Sequence, residues 1–213
     1  MSINHKKLVK PITPLYWQKA LELLTHQDKI IGNLIITYPD EILTNHHNPF
    51  HTLIRAVVGQ QISVKAAEAV WQRLATVLES ITPHSFLTSD REKLRQCGLS
   101  RQKINYITNV ANAFHDGLLT PNTWEYMSDH EIIKQLTQIK GIGEWSAQMF
   151  LIFHLHRPDI LPLADLGLIN AIYQHYGNMT KAEIITLSQQ WQPYRTVAVW
   201  YLWRSLDPFV IQY

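Results

Sequence analysis

Cysteine is nearly absent from this 213-residue chain, where Cys97 stands alone. A single thiol excludes an internal disulfide, a cysteine-built zinc site and an iron–sulfur cluster, each of which needs more thiolates. Charge is scarce too. Charged residues make up 17% and the formal net charge is +2, so the field of the whole molecule selects no polyanionic partner. Any such contact needs a local basic face. No apolar run reaches the length that spans a bilayer, and the first ten residues hold Lys6, Lys7 and Lys10 without the apolar centre of a secretory signal. These shortages lead us to expect a soluble, cytoplasmic monomer with no membrane partner. Strand-like alternation, long repeats and low-complexity stretches are missing as well.

What is present is helical punctuation, with 46% apolar residues to build a core. Thr13-Pro14 reads as an N-cap with proline in the first turn, opening a helix to about Thr25 with Leu15, Leu21 and Leu24 inward. Asp28 opens a second helix that ends before Pro39. Asn48-Pro49 opens a third, carrying Phe50, Leu53, Ile54, Val57 and Val58. Ser63 caps a fourth, in which Val64, Ala67, Val70, Trp71, Leu74 and Val77 recur at helical spacing. A short helix from Asp90 to Gln96 stops at Gly98. Ser100 caps another with Ile104, Ile107, Val110, Ala111 and Phe114 on one face, closed by Gly117. Ser128-Asp129-His130-Glu131 and Thr180-Lys181-Ala182-Glu183 are capping boxes. A final helix runs from about Tyr194 to Leu206, before Asp207-Pro208. Pro121-Asn122 and Pro158-Asp159 mark loops. The class is all-α.

Between two helical segments stands Leu136-Thr137-Gln138-Ile139-Lys140-Gly141-Ile142-Gly143-Glu144-Trp145-Ser146-Ala147. Two glycines around one apolar residue make a tight hairpin whose amide groups face outward at a helix N-terminus, a concave donor set suited to a phosphate. Lys140 lies on the exposed side, where its charge can neutralise that phosphate, and Ile142 tucks beneath. Gly-x-Gly alone also fits a plain turn between helices. Twenty-two residues past Gly143 comes Asp165, within Leu161-Pro162-Leu163-Ala164-Asp165-Leu166-Gly167-Leu168. Asp165 reads as an N-cap as readily as a catalytic group, and the two are compatible, since capping fixes its position. A carboxylate is a poor partner for DNA unless it performs chemistry there. Hairpin and carboxylate together point to an enzyme acting on a nucleic acid.

These residues resemble the helix-hairpin-helix DNA glycosylase superfamily, whose hairpin typically reads Leu-Pro-Gly-(Val/Ile)-Gly-x-(Lys/Trp)-(Thr/Ser)-Ala. The match falls on Gly141, Ile142, Gly143, Ser146 and Ala147, with Lys140 where proline is usual. Pro162-x-x-Asp165-Leu166-Gly167-Leu168 matches that superfamily's catalytic aspartate motif. The resemblance implies a two-lobed all-α fold with the active site in the cleft between lobes. Residues 1–45 would pack with the C-terminal lobe, 46–160 would form the central lobe with the hairpin, and 161–213 the C-terminal lobe with Asp165. It implies that Lys140, Gly141, Ile142, Gly143 and Ser146 hold a DNA phosphate, and that main-chain carbonyls of Thr137, Ile139 and Gly141 take a monovalent cation. It implies no cofactor and no catalytic metal.

The same resemblance assigns the chemistry to Asp165. Loss of a base builds positive charge on the deoxyribose, which a nearby carboxylate stabilises while it orients or deprotonates water. Trp145 stands where bifunctional members hold the lysine that attacks the sugar. An indole cannot do this, so the resemblance narrows to monofunctional enzymes similar to DNA-3-methyladenine glycosylase II. Their partner is double-stranded DNA containing a damaged base, from which alkylated purines are removed by hydrolysis. A cationic purine stacked on indole gains ~0.5–2 kcal/mol. Trp203 would lend a second aromatic to the pocket and Met149, one turn past Trp145, would face the same cavity. Trp71, Trp124 and Trp200 are read as core.

A base in a duplex must be extruded before it is cut. Gly59-Gln60-Gln61-Ile62-Ser63-Val64-Lys65-Ala66-Ala67 resembles the segment that approaches the minor groove. Gln60 or Gln61 would fill the vacated space, Gln61 by position, and an exposed helix corner is the plainer reading. Ser100-Arg101-Gln102-Lys103 resembles a segment beside the DNA, with its basic residues on phosphate or on a solvated face. His154-x-His156 sets two imidazoles about 200° apart on a helix, a poor shared metal site, and His46-His47 has no further ligand pattern. Two other functions fit the hairpin: a non-catalytic DNA-binding protein, and a glycosylase for oxidised or deaminated bases.

Overall fold

Side-chain caps set where most of the helices begin. Asp28 accepts from the amides of Ile30 and Ile31, Asn48 from His51, Ser63 from Ala66, Ser100 from Lys103 and Asp165 from Leu168. Ser128 and Thr180 complete reciprocal capping boxes with Glu131 and Glu183. Each bond satisfies an amide that the first helical turn would leave without a partner. The computed structural model of the chain describes residues 13–39, 42–44 and 48–206. Lys6, Lys7, Lys10, His46-His47 and Asp207-Pro208 lie outside the described residues.

The helices are α1 (Trp17–Gln27), α2 (Lys29–Thr37), α3 (Pro49–Gly59), α4 (Val64–Leu78), α5 (Pro83–Thr88), α6 (Arg91–Gln96), α7 (Arg101–His115), α8 (Asp129–Thr137), α9 (Glu144–Phe153), α10 (Leu166–Tyr176), α11 (Lys181–Ser188) and α12 (Arg195–Leu206). Short 3-10 helices cover Pro121–Tyr126 and Gln189–Trp191. Among the described residues there is no strand, and no helix is long and apolar enough to cross a membrane.

Four expectations change. The first helix opens at Trp17 rather than Thr13-Pro14, because the Pro14 carbonyl accepts the Trp17 amide in a preceding turn. That turn leaves Leu15 fully exposed. Helix α5 has no counterpart in the sequence pattern: six residues burying only Phe86 are too short to show a period. Pro121-Asn122 opens a 3-10 helix rather than a loop, and it drops Trp124 into the core with its indole donating to Gln135 at 2.8 Å. Val64 and Val77, at the two ends of α4, remain exposed while the residues between them that repeat toward the core are buried.

The helices form two lobes. In one, α3 is buried along nearly its whole length and packs on α7 and α9, with α4, α5, α6 and α8 around them. In the other, α12 packs on α1, α2 and α10. The chain therefore leaves the second lobe after α2 and returns to it after α9. Asp28 ties this second lobe together from within. One of its oxygens caps α2, while the other accepts from Tyr176 Oη at 2.7 Å, Trp191 Nε1 at 2.8 Å and Gln190 Nε2 at 3.1 Å. A buried carboxylate is tolerated only when so bonded. Burial, with help from Asp28, pushes the Tyr176 phenol far above its ordinary range. The Pro158-Asp159 loop is held on the start of α12 by a bidentate Asp159–Arg195 pair, both bonds at 2.7 Å, a geometry that fixes orientation as well as distance.

Candidate active site

Asp165 sits at the N-terminus of α10, where capping sets its rotamer. Its Oδ1 accepts from the Leu168 amide at 2.7 Å and from Trp203 Nε1 at 2.8 Å. Its Oδ2 accepts from Trp145 Nε1 at 2.8 Å. Trp145 belongs to α9 in one lobe and Trp203 to α12 in the other, so the carboxylate is gripped from both sides of the cleft. Gly167 makes this approach possible: a Cβ there would stand 3.0 Å from Asp165 Oδ1 and 3.4 Å from Trp203 Cδ1.

The cleft holds a cavity of about 920 Å³, and among the described residues Asp165 is the one ionisable side chain in its lining. Trp145, Met149 and Phe153 recur every fourth residue along α9 and supply one wall. Trp203 stacks on Phe153, ring centroids 5.8 Å apart and planes 12° off parallel. Gln60, Gln61 and Ile62, past the end of α3, also line the cavity, as do Leu166 of α10 and Leu206 of α12. Both indole N–H groups are taken up by Asp165, so these tryptophans offer a ligand ring surface rather than hydrogen bonds. Sequence reasoning placed Trp145, Met149, Trp203 and Asp165 together and missed Phe153 and Gly167. The four-residue repeat 145, 149, 153 was the available signal for Phe153.

The hairpin follows α8. Gly141 takes φ +112 and lies on Tyr106, where a Cβ would come within 2.3 Å of the ring. Ile142 is buried beneath the turn, and its amide donates to the Ile139 carbonyl at 2.9 Å. That corrects its expected part in a phosphate grip, since this amide is already used. Gly143 caps α9 with extended backbone and nothing within 4 Å of its open face. Lys140 is exposed, and its carbonyl accepts from Asn109 Nδ2 at 2.9 Å.

Three further placements differ from expectation. Ser146 is buried under the hairpin, and its hydroxyl accepts from Gln60 Nε2 at 3.0 Å, so its side chain is off the surface a phosphate meets. Gln60 also donates to the Gly141 carbonyl at 3.0 Å, which removes it as a free tip. Gln61 is exposed at φ +58 and is the residue left at the turn. Lys103 neither faces solvent freely nor points to a phosphate site: its Nζ donates to the Val58 and Gln60 carbonyls at 2.7 and 2.8 Å. Burial lowers its pKa. Among the described residues no group of three or more His, Cys, Asp or Glu gathers to hold a metal.

Known proteins are similar to this chain in sequence and fold. DNA-3-methyladenine glycosylase 1 of Schizosaccharomyces pombe is 37% identical over 185 residues, covering 83% of this chain and 79% of that protein. The structure of the 3-methyladenine DNA glycosylase Mag1 of that yeast in complex with abasic DNA matches with a TM-score of 0.77 at 34% identity, over 91% of this chain and all of that one. The crystal structure of a DNA-3-methyladenine glycosidase from Bacillus halodurans gives a TM-score of 0.71 at 34% identity, over 87% of this chain and 88% of that one. The model of the family described as HhH-GPD superfamily base excision DNA repair protein matches residues 54–195. That span takes in the hairpin, the pocket wall on α9 and the carboxylate, and the chain belongs to the HhH-GPD superfamily of base excision DNA repair proteins.

Proposed function

We propose that the protein is a monofunctional DNA glycosylase of base excision repair that extrudes and hydrolytically removes alkylated purines of the 3-methyladenine type from double-stranded DNA. The observation that carries this reading is the setting of Asp165: one carboxylate, fixed by two indole N–H groups and one amide, in a cavity lined by aromatic side chains. As the base leaves, positive charge grows on the sugar, and a fixed carboxylate stabilises it without reorganising. Asp165 also orients the attacking water. Among the described residues the lining holds no lysine, and the indole of Trp145 cannot form a Schiff base, which fits hydrolysis. Ring faces of Trp145 and Trp203, with Met149 and Phe153, suit a cationic base, whose charge disappears on departure.

The remaining roles belong to the same reading. The amides at the N-terminus of α9, from Gly143 onward, receive a phosphate with Lys140 beside it. Gln61 enters the space left by the extruded nucleotide. A monovalent cation at the carbonyls of Thr137, Ile139 and Gly141 is compatible with the turn, since Ile139 and Gly141 each accept one hydrogen bond and a carbonyl has two lone pairs. Over the described residues the lobes divide into 13–44 with 161–206, and 48–160.

Duplexes carrying methylated, oxidised or deaminated bases test the reading. Base release is expected from the methylated duplex and is abolished by Asp165→Asn, with binding to abasic DNA retained. Release that survives the substitution would remove Asp165 from the chemistry. Release from oxidised or deaminated bases alone would move the substrate class, and no release from any lesion would leave a DNA-binding protein without catalysis.

A further inference from the structure

Helix α7 connects two parts of the site that are remote in sequence. Lys103, Tyr106 and Asn109 recur every third residue and so share one face of that helix. Lys103 Nζ bridges the Val58 and Gln60 carbonyls at the end of α3, where a cation also opposes the negative end of the helix dipole. Tyr106 lies against Gly141 so closely that no side chain fits there. Asn109 holds the Lys140 carbonyl. Gln60 closes the circuit, with its own carbonyl on Lys103 and its side-chain amide on the Gly141 carbonyl and Ser146 Oγ. Gln61, next in the chain, is exposed with φ +58.

We propose that Lys103 is a positioning residue which, through Gln60, locks the Gln61 turn in register with the hairpin. Phosphate grip and inserting side chain then act as one rigid unit. The inference rests on the glycosylase reading and concerns extrusion of the nucleotide rather than cleavage of its bond. A lysine that merely capped α3 would support folding without favouring one DNA substrate over another. A lysine that sets the register matters most where the base must be pulled from an intact stack.

Single-turnover base release from one alkylated base in two settings separates these roles. In a fully paired duplex extrusion must break pairing and stacking, and in a bulge it needs far less. Lys103→Met keeps an unbranched apolar stem and loses the donors. Release from the paired duplex is expected to fall about tenfold or more, because small misplacements of a positioned group have effects of that order. Release from the bulge should fall less than about threefold, so the bulge-to-paired ratio rises. Gln60→Ala leaves Lys103 on both main-chain carbonyls, removes the side-chain amide from the Gly141 carbonyl and Ser146 Oγ, and raises the ratio likewise. The double variant adds little, as expected for two members of one network. An unchanged ratio in either folded variant overturns the proposal, and Gln60→Ala decides alone if Lys103→Met does not fold. A wild-type chain inactive on both duplexes overturns the glycosylase reading, and this inference with it.

Discussion

Gly141, Gly143 and Gly167 print alike in the sequence but answer to different constraints in the fold. At Gly141 the backbone stands at φ +112 and a Cβ would meet Tyr106 Cγ at 2.3 Å. Gly141→Ala therefore combines backbone strain with overpacking, and a loss of about 2–5 kcal/mol is expected in urea unfolding. Gly143 has ordinary extended backbone and open space around it. Gly143→Ala should fold within about 0.5 kcal/mol of wild type yet bind abasic DNA more weakly, because its methyl stands where the phosphate approaches. Gly167→Ala presses on Asp165 Oδ1 and the Trp203 ring, and single-turnover base release should fall about tenfold while DNA affinity holds. The motif Gly-x-Gly advertises the first two glycines. Nothing local to Gly167 tells that an indole thirty-six residues later passes over it.

At the scale of elements, what was legible is what is settled within one turn of helix. A Ser, Thr, Asn or Asp bonded to an amide two or three residues on leaves its signature in adjacent letters, and the caps of α2, α3, α4, α7, α8, α10 and α11 all stand where those letters are. Long-range ties leave no such mark. Asp28 reads as a helix cap and is one, but its second oxygen serves Tyr176, Gln190 and Trp191 at separations of 148 to 163 residues. Lys103 reads as a surface lysine of α7, and its partners lie 43 and 45 residues back. Asp28→Ala removes the α2 cap and leaves the Tyr176 hydroxyl and the buried Trp191 N–H without an acceptor. A loss of about 3–5 kcal/mol is expected by chemical denaturation. Asp28→Asn keeps one acceptor oxygen, so its loss should fall between alanine and wild type.

For the molecule as a whole, the decisive feature is that Asp165 lies where the two lobes meet and accepts from both. Its place in the sequence was readable from the aspartate motif and its cap, whereas its role as a joint between Trp145 and Trp203 required the fold to bring α9 and α12 together. That geometry separates stability from chemistry in one experiment. Asp165→Asn exchanges one acceptor oxygen for an amide NH2. Whichever way the amide turns, one indole N–H then faces a donor, and a half-buried polar group left unpaired costs about 1–3 kcal/mol. For a chain of this size that corresponds to a fall of roughly 2–12 °C in melting temperature. Adding Trp145→Phe with the Asn Oδ1 left to Trp203 and Leu168 removes the orphaned donor. The double variant should recover part of the lost melting temperature in calorimetry while base release stays absent, because no carboxylate has returned. If Asp165→Asn melts with the wild type, the lobes are not joined through this carboxylate. If the double variant regains base release, the negative charge on residue 165 is not what the reaction needs.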